Sequence, residues 1–224
     1  CIRRLYEHDE HGKQHVIEEK YLIKFAEQVF PTAKILQLNI AGEPLMSAQL
    51  GLELELAEKY GLKLDVVTNG TLLGADKERL NKILWNSAFI SVSLDSPVRQ
   101  TYESIKVGAD FQQVMDNMRL LKECRRLMPG DRRPLFNINM VLMKRNLGEV
   151  QQMIRLAKDL DADCVRITDL LVHDDSMKAE SLSGNKRDVL HVLSEAVKLA
   201  RRLKVSVSTP PSCGLGYVGG REGD

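Results

Sequence analysis

Strand-like and helix-like segments alternate along almost the whole 224-residue chain, and this alternation is the strongest constraint on its fold. Short apolar runs rich in β-branched residues are separated by longer segments whose apolar residues recur every three or four positions, as one buried helical face requires. A repeating unit of about 30 residues predicts parallel strands joined by crossover helices. The predicted strands are 35–40, 62–67, 89–94, 135–142, 164–167 and 205–207.

The predicted helices lie between these strands, at 17–30, 48–60, 76–85, 111–128, 147–160 and 186–203. Asn146 precedes Glu149 at capping-box spacing, which favours a helix start there. Several strands are apolar at nearly every position, as expected when both faces of a sheet are covered. Two α/β architectures remain open at this point: a doubly wound open sheet, or a closed or partial parallel β/α barrel.

Composition excludes several classes of protein. Lys and Arg number 32 and Asp and Glu 31, so the chain lacks the basic character that favours nucleic acid or an anionic membrane. It has no run of 18 apolar residues, the minimum for a membrane-spanning helix. The four cysteines are too scattered for a disulfide framework, which favours a reducing, cytoplasmic location.

Both ends of the sequence suggest that it belongs to a longer protein. The chain opens on Cys1 instead of Met, and it closes on a turn-rich stretch at 219–224. We expect residues 1–209 to form the core domain and residues 210–224 to begin a truncated C-terminal extension.

Polar residues follow successive predicted strands, where parallel β/α folds place their reactive groups. Gly42-Glu43-Pro44 follows the first strand, Thr68-Asn69-Gly70 follows the second, and Ser93-Leu94-Asp95 ends the third. The fourth carries Asn139 in an apolar run, and the fifth ends in Arg166-Ile167-Thr168-Asp169. Leaving a buried polar group unpaired costs about 1–3 kcal/mol of stability. The rim that these strand-end residues would form together therefore favours a polar small molecule as its partner.

The ordered set of Gly-Glu-Pro, Thr-Asn-Gly and Ser-Leu-Asp resembles the radical SAM superfamily. The likeness covers about residues 1–172 and extends to two stretches, 89–121 (FISVSLDSPVRQTYESIKVGADFQQVMDNMRLL) and 136–150 (FNINMVLMKRNLGEV). It implies a partial parallel β/α barrel, which would here lack its first strand.

The resemblance also implies which residues bind S-adenosylmethionine. Glu43 would accept a charge-assisted hydrogen bond from the methionyl ammonium, and Ala41 replaces the first glycine of the family's Gly-Gly-Glu-Pro segment. Ser93 and Asp95 would face the ribose and the carboxylate. Asn139 matches the family pattern less closely, because the family varies at that position. The implied set is Gly42, Glu43, Pro44, Thr68, Asn69, Ser93, Asp95 and Asn139.

A [4Fe–4S] cluster is the second implied cofactor, because the family holds one in a C-x-x-x-C-x-x-C loop. Cys1, about 40 residues before Gly42, matches the last of these ligands, so the other two would lie upstream. With an external electron donor, the cluster would cleave S-adenosylmethionine to a 5′-deoxyadenosyl radical that abstracts hydrogen from an unknown substrate. One thiolate cannot hold a cubane, so the chain by itself is expected to be inactive.

The C-terminal end bears on the substrate. Cys213, after Pro210-Pro211-Ser212, resembles the entry to a cysteine-rich extension that carries auxiliary clusters, which makes a peptide or protein substrate one option.

Other interpretations of the same residues stay open. A Schiff-base lyase or aldolase using Lys144 fits a β/α barrel, and so does a non-catalytic nucleoside-binding domain. Individually, Gly42-Glu43-Pro44 fits a helix N-terminus and Thr68-Asn69-Gly70 an ordinary turn. His8, His11 and His15 fit a solvated loop better than a metal site, and the charge-rich segment 122–133 predicts an exposed helix end.

Overall fold

The computed structural model of the chain describes residues 17–38, 42–210 and 213–219. Within them, strands and helices alternate as predicted. The strands are β1 Ile35–Gln37, β2 Lys63–Thr68, β3 Ser87–Ser93, β4 Leu135–Leu142, β5 Cys164–Asp169, β6 Ser206–Ser208 and β7 Tyr217–Val218. The α-helices are α1 Glu19–Val29, α2 Leu50–Lys59, α3 Lys77–Asn86, α4 Arg99–Ile105, α5 Phe111–Arg126, α6 Val150–Asp159, α7 Asp175–Lys178 and α8 Lys186–Leu203.

The strands form one sheet whose spatial order follows the chain, from β1 to β7. Neighbours from β1 to β6 pair in parallel, and β7 pairs antiparallel to β6. Each crossover therefore advances one strand in the same direction, whereas the strand order of a doubly wound sheet reverses at a switch point. This order confirms the expected partial parallel β/α barrel and excludes the doubly wound alternative.

The two faces of the sheet differ in chemistry because side chains alternate along each strand. One face is apolar and belongs to the continuous hydrophobic core shared with the helices; its central residues, at most 2% exposed, include Ile90, Val92, Ile138, Met140, Val165 and Ile167. The opposite face carries polar residues in matched positions. Ser93 pairs with Asn139, Asn139 with Arg166, and Arg166 with Ser208.

Short elements account for most differences from the predicted pattern. Helix α4 has seven residues with Tyr102 as its buried member, and α7 has four residues, so neither shows a helical period. The helix predicted at 147–160 begins at Val150, because residues 144–149 form a 3₁₀ helix. Strand β1 ends at Gln37, and residues 39 and 40 of the predicted strand 35–40 lie outside the described part of the chain.

The charge-rich segment 122–133 was expected to be exposed, and this is wrong for Arg125. That side chain is buried, and its guanidinium donates to the carbonyls of Pro134 and Asp161 and to the Asp163 carboxylate. Partners that lie 9 to 38 residues away hold this charge in the interior.

Candidate cofactor-binding site

Glu43 joins the segment after β1 to the end of β2. Its Oε1 accepts hydrogen bonds from Leu45 N at 3.2 Å and from Thr68 Oγ1 at 2.6 Å, and its Oε2 accepts one from Asn69 N at 2.6 Å. Gly42, with a φ of +93°, lets the chain turn into this position, where nothing lies within 4 Å of an added Cβ. Pro44 is buried and begins a 3₁₀ helix, Pro44–Met46. Gly42-Glu43-Pro44 therefore does start a helix, as one interpretation of the sequence predicted. The Glu43 carboxylate also accepts hydrogen bonds from two residues at the end of β2.

The turn after β2 is held by its own side chains. The buried Thr68 hydroxyl, which donates to Glu43, also accepts from Gly70 N at 3.1 Å. Asn69 Oδ1 accepts from Thr71 N and from Thr71 Oγ1. Gly70 has a φ of +81°, and an added Cβ would lie 2.9 Å from Val92 Cγ1, so glycine is required by conformation and by space.

Asp95 lies at the end of β3 and is 4% exposed. Its Oδ1 accepts from Val141 N at 3.0 Å, and its Oδ2 lies 3.0 Å from Lys106 Nζ. Its carbonyl accepts from Asn146 Nδ2 at 2.7 Å, and the same amide donates to the Val141 carbonyl. Asp95 is therefore fixed to the end of β4 through its side chain and its backbone.

A cleft of about 790 Å³ opens beside these residues. Asn69 and Asp95 line it on one side, and Arg145 and Glu180 face each other across an ion pair of 2.5 Å. The hydrogen bonds from Arg145 hold the pKa of Glu180 below its usual range. The Tyr102 ring also lines the cleft, and burial, with the nearby Asp95 and Glu103 charges, raises the pKa of its phenol to about 12.

The sequence-predicted residues occupy adjacent positions along the ends of β2, β3 and β4. Glu43, Thr68 and Asn69 are hydrogen-bonded to one another, and Asn69 shares the cleft with Asp95. Ser93 and Asn139 are paired residues on the polar face of the sheet. Cys1 and the three N-terminal histidines lie outside the described residues.

The sequence did not assign several residues to this site: the spacing of Asn146 and Glu149 indicated only a helix start, and Lys106 gave no signal. Lys106, Asn146 and Glu149 act through partners far along the chain; Glu149, for example, accepts from Ser96 Oγ at 2.5 Å and Thr101 Oγ1 at 2.6 Å. Only the three-dimensional arrangement identifies them. Lys144 is exposed, whereas Schiff-base lysines are activated by desolvation or a neighbouring cation, so its surroundings give that alternative no support.

The residues present fit the ammonium end of S-adenosylmethionine. A carboxylate has about four acceptor positions, and Glu43 uses two on Oε1 and one on Oε2, which leaves one on Oε2 for a further donor.

The described residues include no cluster of three or more His, Cys, Asp or Glu able to hold a metal ion. In the same part of the chain, no helix has the length and hydropathy that a membrane crossing requires.

The sequence is similar to one protein family and to a curated protein. Residues 6–157, about two thirds of the chain, match the family model of the Radical SAM superfamily. The chain is 25% identical over 186 residues to an uncharacterized protein of Methanocaldococcus jannaschii, an alignment that covers 78% of this chain and 60% of that protein.

Solved structures show the same fold. SuiB of Streptococcus suis superposes with a TM-score of 0.66 at 13% identity, covering 87% of this chain and 43% of SuiB. Native anSMEcpe with bound AdoMet and peptide gives 0.65 at 18%, covering 85% and 54%. A domain of pyruvate-formate lyase-activating enzyme from Bacteroides vulgatus gives 0.56 at 16%, covering 79% and 99%.

The chain thus spans less than two thirds of the curated relative and of SuiB. Its strand order, its ordered rim motifs and the match over residues 6–157 agree on one assignment. The chain belongs to the radical SAM superfamily.

Proposed function

We propose that this chain is the core of an enzyme that binds S-adenosylmethionine across the ends of β2, β3 and β4. The observation that carries the proposal is the Glu43 carboxylate, which two strand-end donors orient at 2.6 Å each. When bound together, a [4Fe–4S] cluster and S-adenosylmethionine supply a 5′-deoxyadenosyl radical for hydrogen abstraction from a substrate. The protein's own residues bind, orient and shield these groups.

Each predicted residue has a separate task in this proposal. Glu43 offers its remaining acceptor position to the methionyl ammonium, and Gly42 and Pro44 set the backbone that presents it. Thr68 and Asn69 hold the carboxylate in place. At the neighbouring strand ends, Ser93, Asp95 and Asn139 face the ribose and the carboxylate of the same molecule, with Asp95 fixed by Lys106 and Val141.

Cys1 is proposed as one thiolate ligand of the cluster, with an external electron donor supplying the reducing electron. Thiolates suit iron–sulfur clusters because they are soft and anionic. The remaining ligands in this proposal belong to the chain upstream of Cys1, so its test requires the longer protein.

A peptide or protein is the proposed substrate class. SuiB has been solved with its precursor peptide SuiA, and anSMEcpe with a peptide and AdoMet. The cleft of about 790 Å³ beside Asn69 and Asp95 has room for a side chain of such a substrate, and the Arg145–Glu180 pair offers charges of both signs.

Binding of S-adenosylmethionine to the full chain, measured by isothermal titration calorimetry, tests the Glu43 assignment. A hydrogen bond to a charged group contributes about 1.5–3 kcal/mol, so Glu43→Gln should weaken binding by roughly ten- to a hundredfold. Glu58→Gln, on the exposed side of α2, is the matched control and should bind like the wild type. Equal affinity of Glu43→Gln and the wild type would refute the assignment.

Turnover tests the reaction itself. The chain together with its upstream sequence would be reconstituted anaerobically with iron and sulfide, reduced, and assayed for 5′-deoxyadenosine. We expect cleavage that requires both reductant and S-adenosylmethionine. A folded, cluster-loaded protein that never forms 5′-deoxyadenosine would rule the proposal out, and borohydride trapping at Lys144 would instead favour a Schiff-base enzyme.

A further inference from the structure

A row of paired polar residues crosses the face of the sheet opposite the helices. Ser93, Asn139, Arg166 and Ser208 occupy the same register position on β3, β4, β5 and β6. Neighbouring strands lie about 4.8 Å apart, so the backbone of Arg166 is about 10 Å from that of Ser93. The row therefore leads from the proposed cofactor site towards the far side of the barrel interior.

Arg166 is the charged member of this row, and it is half-buried. Its guanidinium lies 6.0 Å from the Phe89 ring centroid and hydrogen-bonds to the Cys164 side chain. It forms no ion pair with any carboxylate of the described residues. Lys106 and Arg145 differ in this respect, because each already contacts an acidic side chain.

The neighbours of Arg166 do not neutralise its charge. Burial raises the pKa of the Cys164 thiol, an effect larger than the opposing influence of Arg166, so the thiol is neutral at physiological pH. A half-buried guanidinium without an acidic side chain beside it can bind an anionic ligand through charge-assisted hydrogen bonds.

The rest of the row supplies unused hydrogen-bonding groups. The Asn139 Oδ1 is a buried acceptor with no partner among the described residues, so it fits a hydroxyl or N–H donor of the cofactor and not an anion. The Ser208 hydroxyl lies on the other side of Arg166 in the same row. A planar guanidinium beside a hydroxyl donor matches the geometry of a carboxylate or a phosphate.

We propose that Arg166, together with Ser208, binds an anionic group of the substrate, a carboxylate or a phosphate, next to Asn139 at the edge of the proposed cofactor site. This inference rests on the proposed function, because it places the anion on the same sheet face as the S-adenosylmethionine site, about two strands beyond Ser93. An acidic peptide side chain and a phosphorylated small molecule share this chemistry.

Anion binding to the full chain tests the proposal directly. Inorganic phosphate and acetate would be titrated separately at constant ionic strength, with binding followed by calorimetry. Arg166→Gln should weaken phosphate binding at least about tenfold, since it removes a charge-assisted hydrogen bond. Arg166→Lys should show a smaller loss, because it keeps the charge but not the planar fork. Preference for one probe distinguishes a phosphate from a carboxylate substrate.

Arg119→Gln is the matched control. Arg119 is exposed on α5 and is paired with Asp116, so its loss should leave phosphate affinity unchanged. An anion that binds Arg166→Gln as tightly as the wild type, or the failure of both phosphate and acetate to bind the wild type, would overturn the proposal. If Arg166→Gln does not fold, Asn139→Asp is the second variant, because it places a carboxylate next to the Arg166 guanidinium. We expect it to abolish anion binding, and retained anion binding in this variant would also overturn the proposal.

Repeating the titration at saturating S-adenosylmethionine separates the two possible sources of the anion. We expect phosphate still to bind, and the affinity of Arg166→Gln for S-adenosylmethionine to match that of the wild type. Displacement of phosphate by S-adenosylmethionine, with weakened cofactor binding in the variant, would assign Arg166 to the cofactor's own carboxylate and refute a substrate site. A protein that never binds S-adenosylmethionine but binds phosphate through Arg166 would refute only the proposed function.

Discussion

Tyr102 is a buried side chain whose hydroxyl has no hydrogen-bond partner among the described residues. Burial, followed by the charges of Asp95 and Glu103, raises the pKa of its phenol from 10 to about 12. The unfolded chain therefore releases this proton at a lower pH than the folded protein. The stabilisation is complete below pH 10 and is lost as pH rises towards 12.

Tyr102→Phe should therefore flatten the alkaline decline of the free energy of unfolding between about pH 10 and 12. At neutral pH the change should be nearly neutral, because the hydroxyl removed makes no hydrogen bond to the described residues. Urea unfolding at a series of pH values measures both effects. Tyr21→Phe, an exposed residue of α1, is the control and should follow the wild-type curve; an equal alkaline decline in Tyr102→Phe would contradict the prediction.

Arg125 provides a second test at the scale of one residue. Its guanidinium lies 2.6 Å from Asp163 Oδ2, and the two side chains are 4% and 12% exposed. Removing one partner of a buried pair leaves the other charge uncompensated, so Arg125→Met should lower the free energy of unfolding by about 3–5 kcal/mol. Urea denaturation measures this change.

The next residue supplies the control for that measurement. Arg126 has the same chemistry on the same helix, but it is 56% exposed and its acidic partners lie 3.9 and 4.0 Å away. Arg126→Met should cost about 0–1 kcal/mol. Similar losses in the two variants would show that burial of Arg125 does not govern its contribution.

At the scale of elements, Asn146 fastens the ends of β3 and β4 together. It is fully buried, donates to the carbonyls of Asp95 and Val141, and accepts from Met143 N at 2.8 Å. The capping-box spacing with Glu149 predicted Asn146 as the first residue of the box, but Asn146 is the third helical residue of a box that Met143 begins, and α6 starts at Val150. Its side chain serves the strand ends and also the start of the 3₁₀ helix 144–149, because its Oδ1 accepts from the N–H of the N-cap residue Met143.

Asn146→Asp should lower the free energy of unfolding by about 2–4 kcal/mol, because a carboxylate would face two carbonyl oxygens that have lost their donor. Urea unfolding at neutral pH tests this. Asn86→Asp is the control: Asn86 also donates to a carbonyl, that of Lys82, but in an exposed position, and its change should stay below about 0.5 kcal/mol. Equal effects of the two substitutions would count against the fastening role.

For the whole molecule, the sequential strand order predicts a gradient of stability across the sheet. Central strands β3 and β4 have a parallel neighbour on each side and a buried helix-facing side, whereas β1 has three residues, two of them exposed. Hydrogen exchange should therefore be slowest in β3 and β4 and fastest in β1 and β7. Mass spectrometry of exchange in native buffer measures this, and uniform protection across the strands would contradict it.

Much of the fold was predictable because it depends on local pattern. The bounds of helix α8 equal the predicted 186–203, and β4 equals the predicted 135–142, since each is long enough to show its own period. Helix α4 was missed because seven residues with one buried member show none. The site was predictable only where its motifs follow strands, as with Glu43, Thr68 and Asp95; their assignment to S-adenosylmethionine stays a prediction.

The sequence by itself determined the alternation of strands and helices, the family, and the residues expected along one rim, because each is written in short stretches of chain. Tertiary structure alone decided between the barrel and the doubly wound sheet, because the strand order depends on where each crossover helix returns the chain. It also decided that Glu43 binds residues 25 and 26 positions away, and that Arg125 is buried while Arg166 lies on the polar face. Such pairings join groups distant in the chain, and only the packed sheet brings them within hydrogen-bonding distance.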